Sequence, residues 1–353
     1  MTATAKLKQS LYAAQEAWRP VRRRKGSASG KAVMLFPAAL APSRPSLDAA
    51  KAQVERFARR APQVLVKVSK STYGAAHTCA NFTYISRNGK VPLYDQDGVE
   101  ITDVDAMRDL AEEWRALNFD PADLDSRFSS PDARRIILSM PKGTDADVVL
   151  HSARAMARDL FADNYDYVLA LHIDEGKGGS PNPHVHLTVR AKGHDGTKLT
   201  FAPADLLHLR RTFATELRQR NVDADATPQV ARGPRLNNEH SKVHYARKRV
   251  EDRNFGAADV IEPFRRDLER LRSGADREHY SEEVIKLYQT LLSDLTASAD
   301  PAYRTLAAEF RDFLSVGFAG QIAVAAPELG QEQSIGKGDT IGGGGPSGPK
   351  PKL

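Results

Sequence analysis

The chain has 353 residues, enough to bury a sizeable core, and one cysteine, Cys79, which excludes an intramolecular disulfide and any cysteine-rich zinc module. No apolar run approaches the length of a membrane span and the N-terminus is polar, without a secretory hydrophobic segment, so a cytoplasmic protein is expected. The formal charge is +6, but residues 1–31 hold eight Lys or Arg against Glu16 alone, a local +7, and the remainder sums to −1. A nucleic-acid partner is therefore suggested by the basic arm and by local patches, not by global charge.

In chain order, residues 1–62 read as a basic, partly disordered extension. Helical pieces at SLYAAQEAW and SLDAAKAQVERFARR flank the linker-like PVRRRKGSASGK. The main domain is expected over residues 63–235. Val64–Val68 is a strand by β-branched content, and KSTYG turns it into a helix from about Ala75 to Ser86, with Gly89 suited to a left-handed terminal position. VPLYDQDGVEI carries a hairpin signal at Asp97 and Gly98, and Asp105–Leu117 has helical spacing. Arg134–Met140 is a strand, which PKGTDADVV turns into a helix capped by Thr144 or Asp145. Small and basic residues at such a junction suit a phosphate.

The stretch YDYVLALHIDEGKGGSPNPHVHLTVR, residues 165–190, is the most informative. It reads as two antiparallel strands around a Gly, Pro and Asn-rich loop. Period two places Tyr167, Leu169, Leu171 and Ile173 on one face and Val168, Ala170, His172 and Asp174 on the other. His184 and His186 likewise share a face. With the more apolar face turned to the core, three imidazoles and a carboxylate project together, which outlines a metal site with positions open for substrate oxygens. A helix opened by Pro203 follows. After an extended VDADATPQVARGPRL, residues 236–325 read as a charged helical region, and 326–353 as a disordered tail.

Three histidines holding a metal suit phosphoryl chemistry. The attacking group stays open between water, which makes a hydrolase, and a protein hydroxyl, which makes a covalent intermediate. With ten tyrosines, composition does not choose among them.

The order of TYISRNGKVPL on a helix, RIILSMPKGTD, YVLALHID and NPHVHLTV resembles the relaxases of plasmid mobilisation and T-DNA border nicking, within the HUH endonucleases. The resemblance covers about Val64 to Gly233. It implies an α+β fold, a central antiparallel five-stranded sheet flanked by helices. It also implies Tyr84 as the nucleophile and His172, His184 and His186 as ligands of Mg²⁺ or Mn²⁺. Asp174 is implied as a further ligand, a carboxylate that orients a histidine, or a catalytic acceptor of the tyrosyl proton, and Arg87, Lys90, Ser139, Lys142 and Thr144 as DNA contacts. Only Tyr84 has the family's flanking residues; Tyr73 and Tyr94 are its rivals.

The implied function is metal-dependent, site- and strand-specific nicking of single-stranded plasmid DNA at an origin of transfer, with a 5′-phosphotyrosyl adduct and later religation. Accessory nicking proteins and a type IV secretion coupling protein are implied as partners, and passage into the recipient cell with the bound strand is a further implication. The alternatives are a rolling-circle replication initiator, a water-using phosphohydrolase and a non-catalytic DNA-binding regulator. The loop 175–183 is longer and richer in glycine than the family's usual connection.

Overall fold

The computed structural model describes residues 2–17, 46–119, 130–173, 180–232 and 275–317. The expectations for the linker at 20–31, Asp174, most of the 175–183 loop, residues 236–274 and the 326–353 tail lie outside them. The strands are β1 (Leu65–Val68), β2 (Leu93–Asp95), β3 (Glu100–Ile101), β4 (Ala133–Ser139), β5 (Tyr167–His172) and β6 (His184–Arg190). They form one antiparallel sheet in the order β1-β4-β6-β5-β2-β3. The sheet thus has six strands, not five, within the expected α+β class. Both arms of the Asp97–Gly98 hairpin join it, because β2 pairs with β5 through Tyr94 and Leu169. The hairpin closes on Asp95, whose carboxylate accepts from the N–H groups of Asp97 (3.0 Å) and Val99 (2.8 Å), with Gly98 at φ 86.

One face of the sheet carries the larger core. Val66, Ile136, Leu138, Leu169, Val185, Leu187 and Val189 pack there against α5 (Ala146–Phe161) and α6 (Pro203–Gln219). The junction before α5 is capped by Asp145, whose carboxylate accepts from Asp147 and Val148 N–H groups. These two donors are therefore already taken by the cap.

The opposite face is the one that holds the histidines, and it is covered as well. Helices α3 (Ala75–Ile85) and α4 (Val104–Asn118) lie on it and bury Val168, Ala170 and Ala133 beneath Phe82, Ile85, Met107 and Trp114. Phe82 meets Trp114 edge to face at 5.2 Å. The projecting face inferred from strand periodicity is thus mostly a second core, and the histidines sit at its end.

The remaining helices are α1 (Ala3–Ala17), α2 (Leu47–Ala58), α7 (Ala275–Thr296) and α8 (Pro301–Gly317). Each packs on two of the others: α1 on α7 and α2, and α8 on α7 and α2. Phe57 of α2 is the centre of an aromatic cluster, 4.3 Å from Phe313, 5.7 Å from Tyr288 and 6.2 Å from Phe310 between ring centroids. Among the described residues, the bundle meets the sheet domain through Arg56 and Tyr288. Arg56 lies 3.9 Å from the buried Asp225, and Tyr288 donates to the C=O of Ala231 (2.7 Å), in the 3-10 turn Gln229–Arg232 that closes the stretch expected to be extended.

Candidate metal centre and tyrosine

Strand register assembles the histidines. His172 of β5 is paired with His184 of β6, which is paired with Ser139 of β4, so these three share one row on one face. His186 stands one pleat along, between Ile137 and Ala170. The imidazole centroids are 4.5 Å (His172–His186), 5.2 Å (His184–His186) and 5.3 Å (His172–His184) apart. One ring nitrogen from each lies within 4.8 Å of the others. Ligand bonds of about 2 Å would draw these nitrogens closer together around an ion.

Hydrogen bonds to the outer nitrogens set which atoms face inward. His184 donates from Nδ1 to the C=O of Asn182 (2.9 Å), leaving Nε2 as a lone pair. His172 is buried, and its Nε2–H donates to the C=O of Ile85 (2.6 Å), one of the last-turn carbonyls that a helix leaves unsatisfied. Its inward atom is Nδ1, where the Arg87 guanidinium approaches to 3.4 Å. His186 is held neutral. Burial, then the neighbouring His172 and His184, then Arg135 and Arg87, lower its pKa to about 3. Three imidazoles converging on one point, two of them oriented by carbonyls and His186 held neutral, fit a divalent metal. Asp174 lies outside the described residues.

The tyrosine reaches this point because α3 is pinned over β6. Asn81, buried on α3, donates to the Thr188 hydroxyl of β6 (2.9 Å) and accepts from Arg135 of β4 (3.1 Å). Tyr84 follows three residues later on the same side of the helix, and His186 precedes Thr188 by two on the same strand face. The result is an edge-on contact, with the Tyr84 and His186 rings 6.0 Å apart at 88°. Tyr84 is nevertheless 67% exposed, so its hydroxyl is open to a ligand. The other end of α3 is held by Asp132, whose carboxylate accepts from the Gly74 N–H and from Arg115 of α4 (3.0 Å).

Beyond Tyr84 the chain reverses through three consecutive left-handed residues, Arg87 (φ 52), Asn88 (φ 58) and Gly89 (φ 78). For the two that are not glycine this costs about 1–2 kcal/mol each. At Gly89 a Cβ would lie 2.3 Å from the C=O of Thr102, so only glycine fits. The reversal turns Arg87 back toward His172 and leaves Lys90 exposed in the following turn.

The other expected contacts lie on a second loop pair. Ser139 donates to the C=O of Pro183 (3.2 Å), the Lys142 N–H donates to the Asn182 side chain (2.9 Å), and Thr144 donates to the C=O of Pro141 (2.9 Å). The turn after β4 is therefore buttressed by the loop that enters β6 at His184. Tyr94 is paired with Leu169 and packs in the larger core, on the face away from the histidines. Tyr73 precedes the start of α3, at the end opposite Tyr84. Tyr84, Arg87, Asn88 and His172 also border a groove of about 810 Å³ along α3, lined by Ala76 and Ala80 and by Arg108 of α4.

Sequence reasoning missed Asn81, Asp132 and the Ile85 carbonyl. A buried asparagine three residues before the tyrosine was the available signal, since an unpaired polar group in a core is costly and implies a partner.

Residues 84–221 match the family model described as relaxase, MobA/VirD2-like, nuclease domain. A relative, the "T-DNA border endonuclease VirD2" of Rhizobium radiobacter, is 29% identical over 208 residues, covering 52% of this chain. The match spans about half of that relative's length, 47%. The matched stretch begins at Tyr84 and runs through the histidine hairpin, so the chain is similar to a relaxase nuclease domain over both parts of the candidate centre.

Proposed function

We propose that this relaxase domain nicks one strand of plasmid DNA at an origin of transfer, using Tyr84 as nucleophile, and later reseals it. The observation that carries the reading is the juxtaposition of one exposed tyrosine with three convergent imidazoles, the Tyr84 ring 6.0 Å from that of His186. His172, His184 and His186 would hold Mg²⁺ or Mn²⁺. When bound, such an ion supplies polarisation of the scissile phosphate and neutralises charge building on its oxygens.

The chain's own residues do the rest. The Tyr84 oxygen attacks phosphorus, forming the tyrosyl–phosphate bond as the bond to the 3′ oxygen breaks. The phenolic proton leaves Tyr84 and the departing 3′ oxygen takes one up, so the charge balances. Bond energy is kept in the phosphotyrosyl link, and a 3′ hydroxyl reverses the step without ATP. Asp174, on the histidine face by strand periodicity, is assigned to orient a histidine or to accept the tyrosyl proton. Arg87, beside His172, is assigned to a phosphate oxygen, with Lys90, Ser139, Lys142 and Thr144 as flanking strand contacts. Accessory nicking proteins and a secretion coupling protein complete the proposed setting. Among the described residues, no helix is long and apolar enough to cross a membrane.

The reading is tested by incubating the protein with candidate origin strands and Mg²⁺ or Mn²⁺. A denaturant-resistant protein–DNA species is expected from the parent and not from Tyr84→Phe. Cleaved strand without any such species would favour a water-using phosphohydrolase instead.

A further inference from the structure

The histidine face of the sheet is open along one margin. Helices α3 and α4 cover its β5 side and Ala133 of β4, whereas on β1, and on β4 from Arg135 to Ser139, the side chains of this face are exposed or half-buried. Leu65 is 53% exposed, Lys67 is exposed, and Ile137 and Arg135 are half-buried. Register fixes their order. Leu65 pairs with Ser139 in the His184 row, Lys67 with Ile137 in the His186 row, and Arg135 with Thr188 beyond. The strip therefore starts at the candidate metal centre and runs away from it for roughly 13 Å over the four residue steps from Ser139 to Arg135.

Helix α3 forms one wall of this strip. His77, Asn81 and Tyr84 are spaced as one stripe of a helix, and Asn81 is the member bonded to Arg135 and Thr188, so the stripe faces β4 and β6. Tyr73, 49% exposed, lies just before the helix start, where its N–H donates to His77 Nδ1 (3.4 Å). At the same end Arg135 donates to the C=O of Lys70 (2.5 Å), placing the exposed Lys70 beside it. None of β1, α3 or β4 contains an Asp or Glu, so the strip is basic, with aromatic rings along its wall.

We propose that this strip is the track of the single DNA strand on one side of the scissile phosphate. Tyr73 and His77 are its base-stacking platforms, and Lys67, Lys70 and Arg135 contact its phosphates. Stacking rings interleaved with cations are what a strand needs for binding that tolerates sequence, because every base offers a π-face and every linkage a charge. The proposal rests on the nicking reading only for where the scissile phosphate lies.

The test uses the full chain, a fluorescein-labelled strand of twenty thymidines, and anisotropy in EDTA over a series of salt concentrations. Tyr73→Ala is expected to weaken binding about tenfold, with Tyr73→Phe close to the parent. Lys67→Ala and Lys70→Ala are each expected to lower the slope of log affinity against log salt by about 0.7. All three side chains are at the surface, so the variants should melt with the parent. Parental affinity and slope in these variants, or no binding of the strand by the parent, would overturn the track. The two readings separate cleanly. Binding that depends on Tyr73 and the lysines without any covalent species sinks the nicking and keeps the track. Adduct formation at the parental rate and KM in the Tyr73→Ala and Lys67→Ala proteins does the reverse.

Discussion

At the scale of single residues, the centre is defined by how each imidazole is held. His172 and His184 each give one N–H to a backbone carbonyl, at 2.6 and 2.9 Å, which turns the other nitrogen inward before any ligand arrives. Manganese affinity by calorimetry is expected to fall at least tenfold in His172→Ala and in His184→Ala. His186 makes a different prediction. Its pKa of about 3 in the fold lies below the ordinary 6.5 it has in the unfolded chain. Between those values the unfolded state binds the extra proton, so its contribution to stability is complete above pH 6.5 and is lost as pH falls toward 3. In EDTA, the melting temperature of the parent should therefore drop more between pH 7.5 and 5 than that of His186→Gln. An equal drop in both would mean that the burial of His186 does not set its titration.

At the scale of elements, α3 is the part on which the chemistry depends. Its polar clamp, Asn81, sits between Thr188 and Arg135, and removing it leaves the buried Thr188 hydroxyl without that donor. Asn81→Ala is expected to cost about 1–3 kcal/mol by urea unfolding. It should also lower the rate of adduct formation at saturating strand more than it raises KM, because Tyr84 loses its register over His186. Gly89→Ala tests the reversal after α3. With φ at 78 and the Thr102 carbonyl 2.3 Å from the added Cβ, a lowered urea midpoint is expected there too.

This element also shows what the sequence could tell. The histidine pattern was legible because strand period two puts His172 in line with Val168 and Ala170 and pairs the two β6 histidines on one face. That the same face is a second core was not read, although Val168 and Ala170 were small apolar residues on it. Strand periodicity says which side chains share a face and nothing about which helix lies over them. Tyr84 was singled out by its flanking residues alone. Its place over His186 depends on Asn81, Thr188 and Arg135, which are far apart in sequence.

At the scale of the whole molecule, helices far apart in the sequence meet. The helices of the N-terminal extension, α1 and α2, bury Leu7, Leu11, Val54 and Phe57 beside Tyr288, Leu291, Phe310 and Leu314 of α7 and α8. Composition read residues 1–31 as a basic arm, since the apolar positions of α1 have their partners in α2 and, more than 250 residues away, in α7. Asp225 ties this bundle to the domain. It accepts from the Gln63 side chain (3.2 Å) and from Thr227, and Arg56 of α2 stands 3.9 Å away. Phe57→Ala is expected to cost about 3–5 kcal/mol by urea unfolding, with an unchanged affinity for single-stranded DNA. A loss of strand affinity in that variant would mean that the bundle takes part in binding.

The central claim is that Tyr84, over the histidines, becomes joined to DNA. Cleavage after Lys70 and Arg87 releases STYGAAHTCANFTYISR, residues 71–87, which contains both Tyr73 and Tyr84. Fragmenting this peptide by mass spectrometry, after the protein has reacted with an origin strand and Mn²⁺ and the DNA has been trimmed, places the phosphonucleotide on one tyrosine. The expected result is a nucleotide on Tyr84. A nucleotide on Tyr73, or cleaved DNA with an unmodified peptide, would contradict the account.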